Sequence, residues 1–480
     1  MNLKIISIEL ECKSGNISYQ FNEHITALYG NIGVGKTSLM NLISFCFGND
    51  LVRTIAIDDQ VLCCMLTVNY CAEMYVFTRR ISSNFISVKT RGKEIQLRIK
   101  DGYTEGTITD YLYELEGLKA LFWIPKNSSV QKKVKITYPN FYWFSYLKQD
   151  EIDNSLFYFK DSQNYYKEMA SRNVLFDCLG GNIQAEVAFQ NMMRNNASVL
   201  EETNQKISFG NELRAATRLF SVNISNEIIK KKSDVLKLKE NLKALLSSVS
   251  LSNSENSFDD ILSIQYKIGL YEAEIKYLSV FGKIKMILDS HVAIKQEIEN
   301  EINMAENEKT EQFSKNMFLN ENIELLKDFF IDTLYKVGFP GIEEGDIIKL
   351  TAKDFSPVLY SYSNKKKADF YSLSSGGKKT IYKICYAIAI HRLIKERNLA
   401  TLIPQMLIID TPMKNISERE DVELYNSLFS LLLNLFSRGG QLETTQLILV
   451  DKELHPYFCK EDITQYHFTK ENPLIPFYCV

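Results

Sequence analysis

Short apolar or alternating runs punctuate the first third of the chain. Residues 1–10 alternate as a half-buried strand does, and residues 25–29, 65–70, 75–79 and 85–88 are rich in β-branched and aromatic side chains. These runs predict strands. The character then changes. Residues 183–335 contain no proline and little glycine, and Lys, Glu, Asn, Leu and Ile dominate, which predicts helix. Strand-like runs return after Val337, where Gly338, Pro340 and Gly341 mark the break. The expected organisation is an N-terminal half-domain over 1–182, a helical insertion over 183–335, and a second half-domain over 336–480.

Two heptad stretches lie within the insertion. In the first, Ile228, Val235, Leu238, Leu242, Leu245 and Val249 fall in one stripe, broken only by Lys231. In the second, Ile261, Ile264, Ile268, Tyr271, Ile275 and Leu278 alternate spacings of three and four. A 3.5-residue repeat keeps an apolar stripe facing a partner helix, as a coiled coil requires. Between them, residues 250–258 are polar and turn-forming, so a reversal there would fold the legs into an antiparallel arm. The stripe shifts phase around Gly282 and resumes at Ile294, Ile298 and Ile302, which predicts a bend or stutter. Legs of about 65 helical residues would reach at most roughly 100 Å. An ordinary helical bundle is the plainer alternative.

The 480 residues are 45% hydrophobic, enough for a sizeable core, and the formal net charge is -3. That balance argues against a strongly basic nucleic-acid binder, though not against a local basic groove. Nine scattered cysteines form no CxxC pair, and no export signal opens the chain. Reduced thiols in a cytoplasmic protein are expected. The longest nearly apolar runs, such as 428–436, are far too short to span a bilayer, so no membrane partner is expected.

Candidate chemistry begins at residue 30. Gly30, Asn31, Ile32, Gly33, Val34, Gly35, Lys36 and Thr37 fit GxxxxGK[ST], after an apolar run and before the helical run that Ser38 opens. Glycines let successive N–H groups turn inward around phosphates, and the helix N-terminus adds its positive end. Lys36 can reach the β- and γ-phosphates of ATP, and the Thr37 hydroxyl can take a place on Mg²⁺. Near the other end, the apolar run 406–409 finishes in Asp410, which reads as a buried parallel strand with a carboxylate at its tip to hold Mg²⁺. Ser375, Gly376 and Gly377 open a further helical run. Alone, such a turn is more often a cap than an anion site.

The order of these motifs resembles the SMC, RecN and RecF branch of ABC ATPases: phosphate loop, long helical insertion, Ser-Gly-Gly helix start, apolar strand with Asp. The resemblance covers both ends of the chain and implies an α/β ABC-type P-loop head with an inserted antiparallel coiled-coil arm. It implies a homodimer in which Ser375, Gly376 and Gly377 of one head cap the ATP held by another. Gln149 stands where this family keeps the glutamine that contacts Mg²⁺ and senses the γ-phosphate. Two positions depart from the pattern. Thr411 replaces the glutamate that usually follows the strand aspartate, so hydrolysis is expected to be slow or to use another carboxylate such as Glu418. His455 lies a few residues beyond the place of the switch histidine.

The arm has no CxxC for a zinc hook. Lys230, Lys231, Lys232 and Lys237 give its ascending leg a basic stripe that can neutralise double-stranded DNA phosphates, against a solvated coiled-coil face as the alternative. A short-armed, hookless head with Asp-Thr-Pro is similar in style to ATPases of bacterial anti-phage systems, the Lamassu type first and the Septu type second. That likeness implies a DNA-sensing or DNA-clamping switch with an effector subunit (a nuclease or other) and an accessory subunit. The alternative is an ATP-gated scaffold that restrains a partner without touching DNA.

Overall fold

The alternating N-terminus forms β1 (Leu3–Cys12), which buries Leu3, Ile5, Ile8 and Leu10 on one side. The computed structural model describes residues 1–99, 106–123, 133–159, 164–217, 224–249, 256–351, 355–361, 365–414, 422–460 and 462–475. They divide into two units, residues 1–187 with 314–480, and residues 188–313.

In the first unit, β1 is followed by β2 (Gly15–Gln20), β3 (Ile25–Gly30), α1 (Lys36–Cys46) and α2 (Ile55–Gln60). Then come β4 (Val61–Tyr70), β5 (Glu73–Arg80), β6 (Phe85–Thr90) and β7 (Lys93–Arg98). All but β3 join an antiparallel sheet in the order β2-β1-β4-β5-β6-β7. Next are α3 (Ile108–Leu115), the short pair β8 (Phe122–Trp123) and β9 (Val134–Lys135), α4 (Tyr138–Tyr142), β10 (Tyr146–Leu147) and α5 (Tyr165–Cys178).

Helices α6 (Ile183–Thr217), α7 (Ile224–Val249) and α8 (Asn256–Lys315) fill the insertion. After α9 (Met317–Val337), the strands β11 (Ile347–Lys349), β12 (Val358–Tyr360) and β13 (Lys367–Asp369) form a small antiparallel sheet. The chain continues through α10 (Gly376–Glu396), β14 (Met406–Asp410), α11 (Val422–Phe436), β15 (Gln446–Asp451) and β16 (Thr464–Phe468).

A second sheet, β10-β14-β15-β3-β16, is parallel throughout and draws strands from both ends of the sequence. Every residue of β14 is buried, as are all of β15 before its last residue. A parallel strand covered on both faces reads as a continuous Ile/Leu/Val run, which is why these segments show no alternation. Helix α10 is buried from Thr380 to Ile394, and each such large apolar side chain contributes roughly 1.5–3 kcal/mol. Gln446, fully buried in β15, accepts from Ile5 N at 2.8 Å and donates to Ile5 O at 2.8 Å, joining the two sheets.

The second unit is helical. Ion pairs link Lys231 to Glu274 and Lys239 to Glu272, Asn196 bonds Glu301, and Ile224 packs with Leu278 and Phe281. Rising numbers on α6 and α7 meet falling numbers on α8, so the legs run antiparallel. Val235, Ile261, Ile268 and Leu278 of the expected stripes are buried. The expected apex falls largely outside the described residues. Through Gly282, α8 continues as one unbroken helix, the seam passes through Phe281, Leu288 and Ile298, and Ile294, expected in the stripe, is 39% exposed. An i+7 and i+10 progression keeps these three on one face, so no break is required.

The fold class is the expected one: an α/β, ABC-type P-loop head made from both ends of the chain, with antiparallel helices inserted in the sequence.

Candidate nucleotide site

β3 is an interior strand of the parallel sheet, paired with β15 on one side and the edge strand β16 on the other. Its last residue, Gly30, has φ 137° and lies so close to β16 that a Cβ there would sit 1.9 Å from Phe468 O. Only glycine fits. The chain then loops through Asn31 and Gly33 to Gly35, whose left-handed φ of 98° turns it into α1. No side chain caps α1, and no acidic residue lies in its first turn. Its leading N–H groups therefore face the loop without competing acceptors, the arrangement that binds a phosphate.

The Lys36 ammonium spans the loop, donating to Gly30 O at 2.6 Å and Asn31 O at 2.7 Å. Burial lowers its pKa, while the nearby carboxylates of Asp410 and Asp451 oppose that shift. The C-terminal segment braces the loop from behind. Leu474 N–H donates to Val34 O at 2.9 Å, and the Leu474 side chain packs where a Gly35 Cβ would project.

Asp410 ends β14, beside Val450 of β15, and is 1% exposed. Burial raises its pKa to about 6, against the hydroxyls of Thr37 and Thr411 and the charge of Lys36. Its Oδ1 accepts from Thr411 at 3.3 Å, and its Oδ2 has no hydrogen-bond partner. A buried, orphaned carboxylate oxygen beside a threonine hydroxyl suits a divalent cation that completes its shell with phosphate and water. Among the described residues no group of three or more His, Cys, Asp or Glu is placed to hold a metal. Mg²⁺ here would depend on Asp410, Thr37 and the nucleotide, and when bound it would neutralise phosphate charge.

These elements open on a cleft of about 730 Å³. Gly33, Val34, Gly35, Lys36, Thr37 and Ser38 line it together with Gln149, which follows β10. Gly30 and Asn31 meet it through Lys36, and the buried Asp410 directly precedes Thr411, which lines it. Ser375, Gly376 and Gly377 are elsewhere: none lines the cleft of their own chain. Ser375 is exposed and caps α10, accepting from Lys378 N at 3.3 Å. Glu418 lies outside the described residues.

Sequence reasoning passed over four sets of lining residues: Thr54 to Ala56 with Arg53, Pro473 to Ile475, Lys452, and Asp451. Asp451 carried the same signal as Asp410, an apolar strand ending in aspartate. His455 is neither at the cleft nor on the surface. It is 3% exposed, stacked 4.5 Å from Phe429 and hydrogen-bonded to Asn426 Oδ1 at 3.0 Å. The basic stripe also needs correction. Lys230, Lys232 and Lys237 are exposed, but Lys231 turns into the seam, bonding Glu274 at 2.5 Å over the Tyr271 ring.

No protein-family model matches the sequence, and no curated protein matches it. Among solved structures the chain is similar to an Smc head domain with an extended coiled coil from Pyrococcus furiosus, bound to the C-terminal domain of ScpA. Identity is 14%, coverage is 94% of this chain and 90% of that one, and the TM-score is 0.44. For an Smc head domain with a coiled coil and joint from Pyrococcus yayanosii the values are 14%, 94%, 92% and 0.42. For RecF with ATP, a recombination mediator, they are 12%, 97%, 95% and 0.36. Likenesses this distant decide nothing alone. The fold class rests on the strand order and the loop geometry. Among the described residues no helix is long and apolar enough to cross a membrane.

Proposed function

We propose that this chain is an ATP-binding, SMC-like ABC ATPase whose heads dimerise around Mg²⁺-ATP and act as a switch. The observation that carries the reading is the uncapped start of α1 behind a glycine loop, with Lys36, Thr37 and the orphaned Asp410 oxygen converging on one cleft. The triphosphate lies along the loop, Lys36 moves from the loop carbonyls to phosphate oxygens, and Thr37 with Asp410 holds the cation. Gln149 stands at the γ-phosphate end. The exposed Ser375 turn completes the site of a second head. DNA sensing or clamping in anti-phage defence is the role that the resemblance of the motifs supports, with an effector and an accessory subunit as partners.

The scaffold alternative gains from the arm itself. Lys231 of the basic stripe is paired with Glu274, and the neighbouring Lys239 with Glu272, so part of the positive charge of this leg is already neutralised within the unit. Stimulation of turnover by double-stranded DNA separates the two readings.

The binding claim is tested by calorimetry with Mg²⁺-ATP. Charge-assisted bonds from Lys36 to phosphate are worth about 1.5–3 kcal/mol each, so Lys36→Ala should weaken binding by roughly 100-fold or more. Wild-type affinity in the variant would refute the site.

A further inference from the structure

Among the described residues placed so far, the nucleotide reading leaves the hydrolytic step without a base. Thr411 follows Asp410 where a carboxylate is expected, and a threonine hydroxyl cannot take a proton near neutral pH. Its backbone is also turned aside. Thr411 has φ 63°, rare for a β-branched residue, and its N–H donates to Val450 O at 2.7 Å. Its hydroxyl points back to Asp410 Oδ1. This position holds the cation's carboxylate in place and offers nothing to a water.

The described acids around the cleft can be sorted one by one. Asp410 lies beneath it with its free oxygen suited to the cation. Asp153 is paired with Lys414 at 2.8 Å. Neither Asp150 nor Glu151 lines the cleft, and Lys383, buried beside them, donates to Glu151 O at 2.9 Å. Among the described residues that line the cleft, Asp451 alone carries a carboxylate.

Its placement follows from the sheet. β15 lies between β14, which ends in Asp410, and β3, which feeds the phosphate loop. Asp451 pairs in register with Tyr29, one residue before Gly30, and Gly30 N–H donates to Lys452 O at 3.0 Å. The tip of β15 is thereby tied to the start of the loop. It emerges at the cleft that Gln149, Thr411 and Lys36 also line, and β15 is buried until this residue. Lys36 and Lys452 bring positive charge to the same wall.

We propose that Asp451 is the general base for ATP hydrolysis, an assignment that rests on the nucleotide reading above. Water between the Asp451 carboxylate and the γ-phosphorus loses a proton to the carboxylate as its oxygen bonds to phosphorus. The bond from the γ-phosphorus to the bridging oxygen breaks, and that electron pair leaves with ADP. The proton passes from Asp451 to released phosphate or solvent. Gln149 orients the water from the opposite side.

Asp451→Asn is a conservative probe. Lys452 N–H donates to Asp451 Oδ1 at 2.7 Å, and asparagine keeps an oxygen to accept it. The full-length variant should melt as the wild type does and bind Mg²⁺-ATP within about threefold of it, less than the loss of one charge-assisted hydrogen bond would cost. Single-turnover hydrolysis of γ-labelled ATP should fall by about 10²–10⁴. Asp451→Glu, which restores a carboxylate, should recover part of the rate. Equal hydrolysis by wild type and Asp451→Asn, with ATP bound to both, overturns the assignment and leaves the nucleotide site standing. Full-rate hydrolysis in Asp451→Asn with loss in Glu418→Gln moves the base to the 415–421 segment. Wild-type turnover no higher than that of Lys36→Ala also overturns it. Wild-type protein that binds no ATP removes the nucleotide reading, and the base with it.

Discussion

Lys414, four residues beyond Asp410, pairs with Asp153, four residues beyond Gln149, at 2.8 Å. The same ammonium donates to Gln149 O at 2.7 Å, and Lys414 O accepts from the Thr380 hydroxyl at 3.3 Å. Lys414 thus joins three segments: its side chain ties the stretch after β14 to the one carrying Gln149, and its backbone carbonyl ties both to the first turns of α10. The pair is mostly shielded, with side-chain exposures of 25% and 14%, so it should exceed a surface ion pair. A double-mutant cycle of Lys414→Met and Asp153→Asn, read by urea unfolding, should give a coupling of about 0.5–1.5 kcal/mol. Additive losses would show that the two residues act independently.

The strands were legible because their neighbours are simple. β1 alternates since one face is wet, and β14 runs continuously apolar since both faces are covered. The phosphate loop was legible because its chemistry is local: glycines, lysine and threonine occupy consecutive positions. What was hidden depends on distant pairing. Lys231 could be seen to break a heptad, but its partner Glu274 follows only from the antiparallel register of α7 and α8. Leu474 reaches Val34 because β16 lies beside β3, and nothing near residue 474 announces that. His455 invited attention as a titratable residue after a strand, yet aromatic packing against Phe429 decided its place. Asp451 had no such excuse, for its signal was the one that singled out Asp410.

Head dimerisation should need ATP and an unobstructed Ser375 turn together. Ser375 is exposed, caps α10, and lies outside the cleft of its own chain. Ser375→Arg removes the cap, which costs about 1 kcal/mol, and places a bulky cation at the surface where a second head would dock. ATP affinity should stay near wild type while light scattering with ATP reports monomers. A Ser375→Arg protein that still dimerises through its heads with ATP would rule out the two-headed sandwich.

Asp410 makes the ligand-free fold sensitive to pH in a definite direction. Its folded pKa is about 6, raised by burial above the usual 3.8, so the folded chain holds this proton more tightly than the unfolded chain does. The protonated carboxyl is tolerated below pH 4. As the pH rises through 6 the buried group ionises, and stability present at low pH is lost. Asp410→Asn cannot ionise. The amide left facing the unpartnered Oδ2 position adds an offset of its own, but that offset does not vary with pH and cancels between conditions. From pH 5 to pH 7.5 the stability difference should therefore move in the variant's favour by about 1.5 kcal/mol. Urea unfolding of both proteins at the two pH values, without nucleotide or divalent cation, measures this. Mg²⁺-ATP should move the difference back in the wild type's favour at pH 7.5, because the ionised wild-type carboxylate then has a cation and the asparagine does not. An unchanged difference between pH 5 and pH 7.5 would mean that Asp410 is ionised in both conditions, and the orphaned oxygen would then have a partner in solution.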